Sequence, residues 1–406
     1  MSGIVGGGRF AACVLAGCLL SAALSGTRAE DTSRGTDGPI TKEEMIAAFE
    51  RDDAVRNRVV AGADLLSIAT STADRVRVED SVIEGGLAFE RQPGPITASE
   101  FAIVNSLIKA APLSRALSTT YSFYAPATEF PPQVDFSAST FEGPVRLTDA
   151  LFQKRVQFDG ATFESGADLS NSMFNGAASF YEAKFNGSAS FGGSRFAREA
   201  SFAGAQFAEQ AEFNAVSFGG KAEFYYSTFA DDALFASVSF LDEVTFGGAS
   251  IRHRAVFSSA RFAALADFWA VQVGETLEAS STGFGSYVYL REAQNGRLDL
   301  NNNARPVVVR ARFDLRGAQI GELHVEDIVF ERDIDFTDAR FGEAVVLRFV
   351  TFEGDAAFVR ARFSGRVGLE NVKYKGEANF ADADFSGLAP ARSFEFSYVE
   401  APDFRI

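Results

Sequence analysis

The sequence predicts an all-β solenoid of roughly square cross-section, on two periodicities and one exclusion. From Phe130 the large apolar residues advance in alternating steps of six and five, through Phe136, Phe141, Leu147, Phe152 and Phe158 and on to Phe257, Phe262, Phe268 and Val273. The register holds 27 positions without a slip, 23 of them Phe. Two residues before each large side chain stands a small or β-branched one, as Ala178 stands before Phe180, Ala200 before Phe202 and Val244 before Phe246. Residues two apart in extended chain share a side, so each repeat sends one small and one large side chain inward and the residue between them outward. A helix is excluded, because steps of five and six scatter side chains around a 3.6-residue turn. Long strands are excluded too, since strict alternation lasts only three residues. Short straight segments joined by corners remain, and four of them close a coil of about 22 residues.

Coils stacked ~4.8 Å apart place residues 22 apart in one column. Phe180, Phe202, Phe224 and Phe246 then form one internal ladder, and Phe185, Phe207 and Phe229 a second. Between the inward pairs lie Asn186-Gly187 and Asp231-Asp232, residues suited to corners.

In chain order, residues 1–25 read as an export signal: Arg9 precedes an apolar run from Phe10 to Leu24, and polar residues follow. Ordinary cleavage near Ser25 or Ala29 competes with cleavage before Cys18, since Leu15-Ala16-Gly17-Cys18 resembles a lipobox and makes Cys18 a candidate lipidation site. The apolar residues continue through Leu19, Leu20 and Leu24, which favours ordinary cleavage. The run is short for a membrane span, so the mature chain is expected to have none. Cys13 and Cys18 are the two cysteines, and ordinary cleavage leaves no thiol for a disulfide or a thiolate metal site.

Residues 26–38 are expected to be a linker, and 39–129 an N-terminal cap, the first irregular coils and an insertion. Thr41 is placed to cap a helix through Glu43, Glu44, Met45, Ala48 and Phe49. Val60 and Leu65 open the array, and Val76-Arg77-Val78, Ser81-Val82-Ile83 and Leu87-Ala88-Phe89 keep its step. The insertion, 90–129, reads as Pro93 and Pro95, a helix from Ser99 to Ala110, then a loop containing Tyr and Pro. Residues 130–273 are the main block, and 274–324 an irregular continuation with loops let out, including Asn301-Asn302-Asn303. Residues 325–386 form a second regular block through Phe330, Phe336, Phe341, Phe352, Phe358 and Phe363. A C-terminal cap, 387–406, would shield the open end with Phe394, Phe396, Tyr398 and Phe404.

Composition agrees with a repeat array. Of 406 residues 47% are hydrophobic, and 42 Phe against a single Trp means that one geometric position recurs. The net charge of −16 argues against a nucleic-acid partner, because no cation excess exists to displace phosphate counterions.

The repeats Ala161-Thr162-Phe163-Glu164-Ser165, Ala211-Glu212-Phe213-Asn214-Ala215 and Ala378-Asn379-Phe380-Ala381-Asp382 resemble the pentapeptide-repeat family, whose repeat reads A, then D or N, then L or F, then two variable residues. The likeness is to its Phe-rich branch, which inserts a sixth residue in alternate repeats. The resemblance implies a right-handed quadrilateral β-helix, here with a short N-terminal helical cap and an inserted segment. It implies no common enzyme activity. Some members are acidic cytoplasmic dimers that protect DNA gyrase by resembling DNA, a role that an export signal disfavours here.

Candidate sites are few. His253 stands at a corner and His324 in an outward slot, neither with a second histidine nearby, so a histidine metal centre is not expected. No glycine-framed serine elbow appears. Glu326, Asp327, Glu331, Asp333, Asp335 and Asp338 are the densest acidic cluster. They could hold calcium or act as paired acid and base, but Arg332 and Arg340 interleave, as on a solvated face. No catalytic, cofactor or metal residue is assigned. Outward Trp269, with Tyr121, Phe123 and Tyr124 of the insertion, is the candidate protein-binding surface; packing of those three onto the first coils is the competing reading.

The expected function is a non-enzymatic exported scaffold or protein-binding repeat protein, periplasmic or extracellular or lipid-anchored. Its partner would be a protein or a cell-envelope component, and a homodimer would form through a coil end. The alternatives are a β-helix enzyme or lectin acting on surface carbohydrate and, less favoured, a DNA-mimicking inhibitor.

Overall fold

A computed structural model describes residues 37–71, 73–88, 98–109, 111–112, 120–130, 133–301, 307–387, 394–401 and 403–405. Cys13, Cys18, the export segment, Phe89, Pro93 and Pro95 lie outside them. From Val55 the described chain is a stack of parallel coils with four faces. In one coil of the main block, face one holds Ala178–Ser179, face two Lys184–Phe185, face three Ala189–Ser190 and face four Arg195–Phe196. Each pairs in parallel with the segment 22 residues on: Ala178 with Ala200, Phe185 with Phe207, Ala189 with Ala211 and Phe196 with Phe218.

Strands of two residues persist because every corner is hydrogen-bonded. The Ala183 amide donates to the Phe180 carbonyl at 3.1 Å, closing a four-residue turn. Glu182, its third residue, has φ +54°, as a type II turn requires. The same backbone recurs every eleven residues, at Gly193, Gly204, Ala215, Tyr226 and Ser237. Non-glycine residues persist there because the same turn is bonded to the next coil, with the Glu182 amide donating to the Ala203 carbonyl at 2.9 Å.

The interior is the predicted set of phenylalanine columns. Phe180, Phe202, Phe224 and Phe246 stack with centroids 4.9, 4.9 and 4.8 Å apart and planes within 7°. Phe185, Phe207 and Phe229 stack at 4.9 and 4.7 Å. All seven are buried. The column of Phe191 and Phe213 meets the first edge-on, Phe213 lying 5.3 Å from Phe224 at 89°. Edge-to-face contact brings the positive ring edge to the negative face, so columns reinforce each other across the core as well as along it.

Helix α1, Lys42–Glu50, begins as predicted: the Thr41 hydroxyl accepts from the Glu44 amide, and the Glu44 carboxylate accepts from the Thr41 amide. A second helix, α2 over Gly62–Ala69, was not anticipated. It takes up Leu65, expected on a coil edge, and buries it with Leu66 and Ile68 over the first coil. The array opens one strand earlier than expected, at Val55–Arg56, and Val60 follows in strand Val59–Ala61 paired with Val82–Glu84.

The helix expected over 99–110 is corrected. Glu100–Val104 and Leu107–Ile108 are strands, the first lying between Arg75–Glu79 and Gln133–Asp135. A strand satisfies the open ladders on both sides, which a helix would leave unpaired. Asn105, at φ +48°, turns the corner. Phe101 lies 33 residues before its register partner Val134, so the extra residues of the inserted segment form lengthened loops on a true coil.

In residues 274–324, Val288 and Leu290, Leu298 and Leu300, and Leu323 and Val325 turn inward; Asn302 and Asn303 lie outside the described residues. At the C-terminal end, Phe394–Ser397 and Asp403–Arg405 add the last strands. Tyr398, expected to shield that end, is 82% exposed because it stands in a left-handed corner at φ +56°. The side chains of Phe394, Phe396 and Phe404 lie outside the description.

Candidate functional site

The four residues singled out from sequence separate into two groups. Phe123 is fully buried, 5.2 Å from the Phe136 ring and 6.3 Å from Phe141. It is core, because Phe123–Tyr124 pairs with Leu87–Ala88 and with Val145–Arg146. Tyr121 and Tyr124 are half-buried beside it and meet edge-on at 5.0 Å. Trp269 is different: it stands on an outer corner and is 44% exposed.

The corner that carries Trp269 forms an outward column. The carbonyls of Tyr181, Ala203, Tyr225, Gly247 and Trp269 accept from the amides of Gly160, Glu182, Gly204, Tyr226 and Gly248, each in the preceding coil. Aromatic residues therefore alternate with small ones, and the rings recur every second coil, roughly 9.6 Å apart at ordinary strand spacing. Tyr226 adds a ring 5.6 Å from Tyr225, and Tyr287 and Tyr289 stack at 6.2 Å beside the column. The Glu182 carboxylate, hydrogen-bonded to the Tyr181 hydroxyl, pushes that phenol above its usual range. The alternation of large and small was legible as residues 181, 203, 225, 247 and 269 once a 22-residue coil was known.

A second feature was missed by sequence reasoning. On face two the outward residues Thr228, Ser250, Gln272, Gln294, Gln319 and Arg340 are successive register partners. They line an open trough of about 820 Å³ that crosses these coils. Its floor is glycine: a Cβ on Gly274 would lie 2.1 Å from the Arg252 carbonyl oxygen, and one on Gly321 2.2 Å from that of Gly296. Beneath this floor Asn295 points into the core, 6% exposed, with neither amide atom hydrogen-bonded among the described residues. Its register neighbours are Val273 and Ile320, so an apolar side chain fits this place. An unsatisfied buried amide costs roughly 1–3 kcal/mol. The signal was present in sequence as Gln272-Val273-Gly274, Gln294-Asn295-Gly296 and Gln319-Ile320-Gly321.

The ionisable candidates are dispersed into pairs. His253 Nδ1 is 2.7 Å from Glu275; His324 lies 3.3 Å from Asp299 and 3.5 Å from Glu326, with Arg297 3.0 Å away. Of the acidic cluster, Glu331 faces Arg310, Asp335 faces Arg316 and Asp338 binds Arg360. Asp327 forms a corner at φ +56°. Among the described residues no group of three or more His, Cys, Asp or Glu is arranged to hold a metal ion.

Compared with known proteins, the chain matches the sequence pattern described as pentapeptide repeats (9 copies) over residues 128–173, 169–217 and 336–384. No curated protein and no solved structure matches it.

Proposed function

Since this chain is a pentapeptide-repeat protein, we propose that it acts without catalysis, as an exported scaffold that presents a rigid side face to a protein or cell-envelope partner. The observation that supports this is the outward column of Tyr181, Tyr225 and Trp269. Its rings are held on corners bonded to the coils on either side, so binding orders little that is not already fixed, and preorganisation of that kind favours affinity. Tyr and Trp are also the residues that most often anchor interfaces. The export segment 1–25 supports a site of action outside the cytoplasm, with the mature chain free or held through Cys18. No helix among the described residues is long and apolar enough to cross a membrane. The last strands, Phe394–Ser397 and Asp403–Arg405, are the proposed place for a second copy.

Photo-crosslinking in intact cells tests the reading. A crosslinking amino acid at Trp269 or Tyr225 should capture one discrete partner in the cell envelope, while the same group at Ser190, on face three, should capture none. Equal capture from both faces would overturn the surface assignment. An uncleaved chain in the cytoplasmic fraction would overturn export.

A further inference from the structure

The trough on face two carries a charge opposite to that of the protein around it. The chain bears a net charge of −16, yet no carboxylate lines the trough. Two guanidinium groups do, those of Arg252 and Arg340, and among the described residues neither is ion-paired. Arg252 is in the coil of Ser250, and Arg340 is the register partner of Gln319, so the two stand roughly four coils, or ~19 Å, apart. Between them the amides of Gln272, Gln294 and Gln319 form a column of paired donors and acceptors. The neighbouring carboxylates are turned to the next face: Glu275 holds His253 at 2.7 Å, and Glu322 lies 3.6 Å from Arg297.

We propose that this trough binds an extended acidic polysaccharide segment, its carboxylates on Arg252 and Arg340 and its hydroxyl groups on the glutamine amides. Charge complementarity selects an anion, and a row of amides between two cations selects a polyhydroxylated one. A peptide fits less well, because its own N–H and C=O groups need an open strand edge, and the trough's strands are paired on both sides. Nucleic acid fits less well again: two cations release few counterions, and the trough offers no aromatic platform on which bases could stack. Asn295 takes no part, because its side chain points into the core as do those of its register partners Val273 and Ile320. The proposal is independent of the aromatic column, since it uses none of its residues.

Calorimetric titration of the intact protein tests it with hexamers of galacturonate, glucuronate and mannuronate, the methyl esters of each, hexaglutamate and a single-stranded DNA hexamer. At least one uronate hexamer should bind, about tenfold or more tighter than its neutral ester, with an affinity that falls as salt rises. Arg252→Gln combined with Arg340→Gln should weaken it at least about tenfold. Asn295→Val should raise the thermal midpoint of the free protein and leave the hexamer's affinity unchanged, since that side chain lies in the core beneath the trough. Trp269→Ala should leave the titration unchanged. Absence of binding by all three uronates would overturn the proposal. So would equal binding of hexaglutamate or DNA, or an affinity untouched by the arginine changes in variants whose circular dichroism matches the parent.

Discussion

Residues 130–273 and residues 274–348 close the same circuit with different corners. In the first region the chain leaves face two after Phe185, Phe207, Phe229 or Ile251, bends, and enters face three as a separate two-residue strand. The residues at that bend are Asn186, Ala208, Ala230 and Arg252, so side chains are accommodated. In the second region the strands run straight through: Gln272–Glu278, Gln294–Asn301, Gln319–Glu326 and Arg340–Arg348 each span both faces. The bend residues are now Gly274, Gly296, Gly321 and Gly342. The interiors differ as well. The first region is filled mainly by Phe, at 23 of its 27 large positions, whereas a small void opens where Phe257, Phe262 and Phe268 meet Leu277, Leu290 and Leu298 of the second. Stacked rings set a uniform core that tolerates varied corners, and where the rings give way to Leu and Val the corner becomes the invariant part.

The largest test of this contrast is truncation of one ring. Phe224 touches rings on both sides of its column and Phe213 and Phe235 edge-on. Phe224→Ala is therefore expected to cost about 3–5 kcal/mol, with a matching fall in the denaturant midpoint, whereas Leu298→Ala, beside an existing void, should cost about 2–3 kcal/mol. Equal losses at the two sites would mean that the Phe columns pack no better than the Leu region.

The corner gives the next effect. A Cβ on Gly296 would stand 2.5 Å from the Glu275 carbonyl oxygen and 2.8 Å from that of Gly274, backbone atoms that cannot swing aside. Gly296→Ala should destabilise by roughly 1–3 kcal/mol through backbone displacement, and Ala230→Gly, at the equivalent bend of the first region, by less than about 1 kcal/mol. Thermal unfolding of the two variants decides it: if they match, the straightened corner does not depend on glycine.

The pattern in the sequence was sufficient for the first region and insufficient for the second, for a physical reason. A column position that recurs every 22 residues leaves its mark in spacing alone, so Phe180 to Phe246 were assigned to one ladder from residue numbers. The trough's three Gln-x-Gly triplets carry no hydrophobic signal at Gln or Gly, so they stand out only once the coil register places Gln272, Gln294 and Gln319 in one column. Phe123 was not legible as core, because it fills the small slot five residues before Thr128, where its register partners are Leu87 and Val145, and the strand over Glu100–Val104 was expected to be a helix. There β-branched Ile103 and Val104 fit either period, and the ladders above and below decided between them. Trp269 was legible as outward because it directly follows an inward Phe.

Acid separates the regions by the smallest effect. Residues 274–348 hold two carboxyls below their usual range, Asp314 and Asp338, against one in residues 130–273. Burial alone would raise Asp314, but hydrogen bonds from the Arg316 side chain and backbone outweigh it. The Arg360 side chain lowers Asp338, and the Ser386 side chain and backbone lower Asp384. In the main block Asp232, bonded to Arg254, is the comparable group. A carboxyl with a depressed folded pKa contributes stability that is complete above its unfolded value, near 3.9, and is lost as pH falls through the folded value. Between about pH 4 and pH 2, amides around Asp314 and Asp338 should therefore lose hydrogen-exchange protection first, on the order of a few-fold, since such pairs are individually weak. Amides of Phe180 to Phe224 should keep theirs over the same range once intrinsic rates are divided out. Arg316→Gln sharpens the comparison: with its donor weakened, burial is left to raise Asp314, so the loss around that coil should begin at higher pH. Earlier loss in the main block would show that its columns, not the ion pairs of the second half, are the acid-sensitive part.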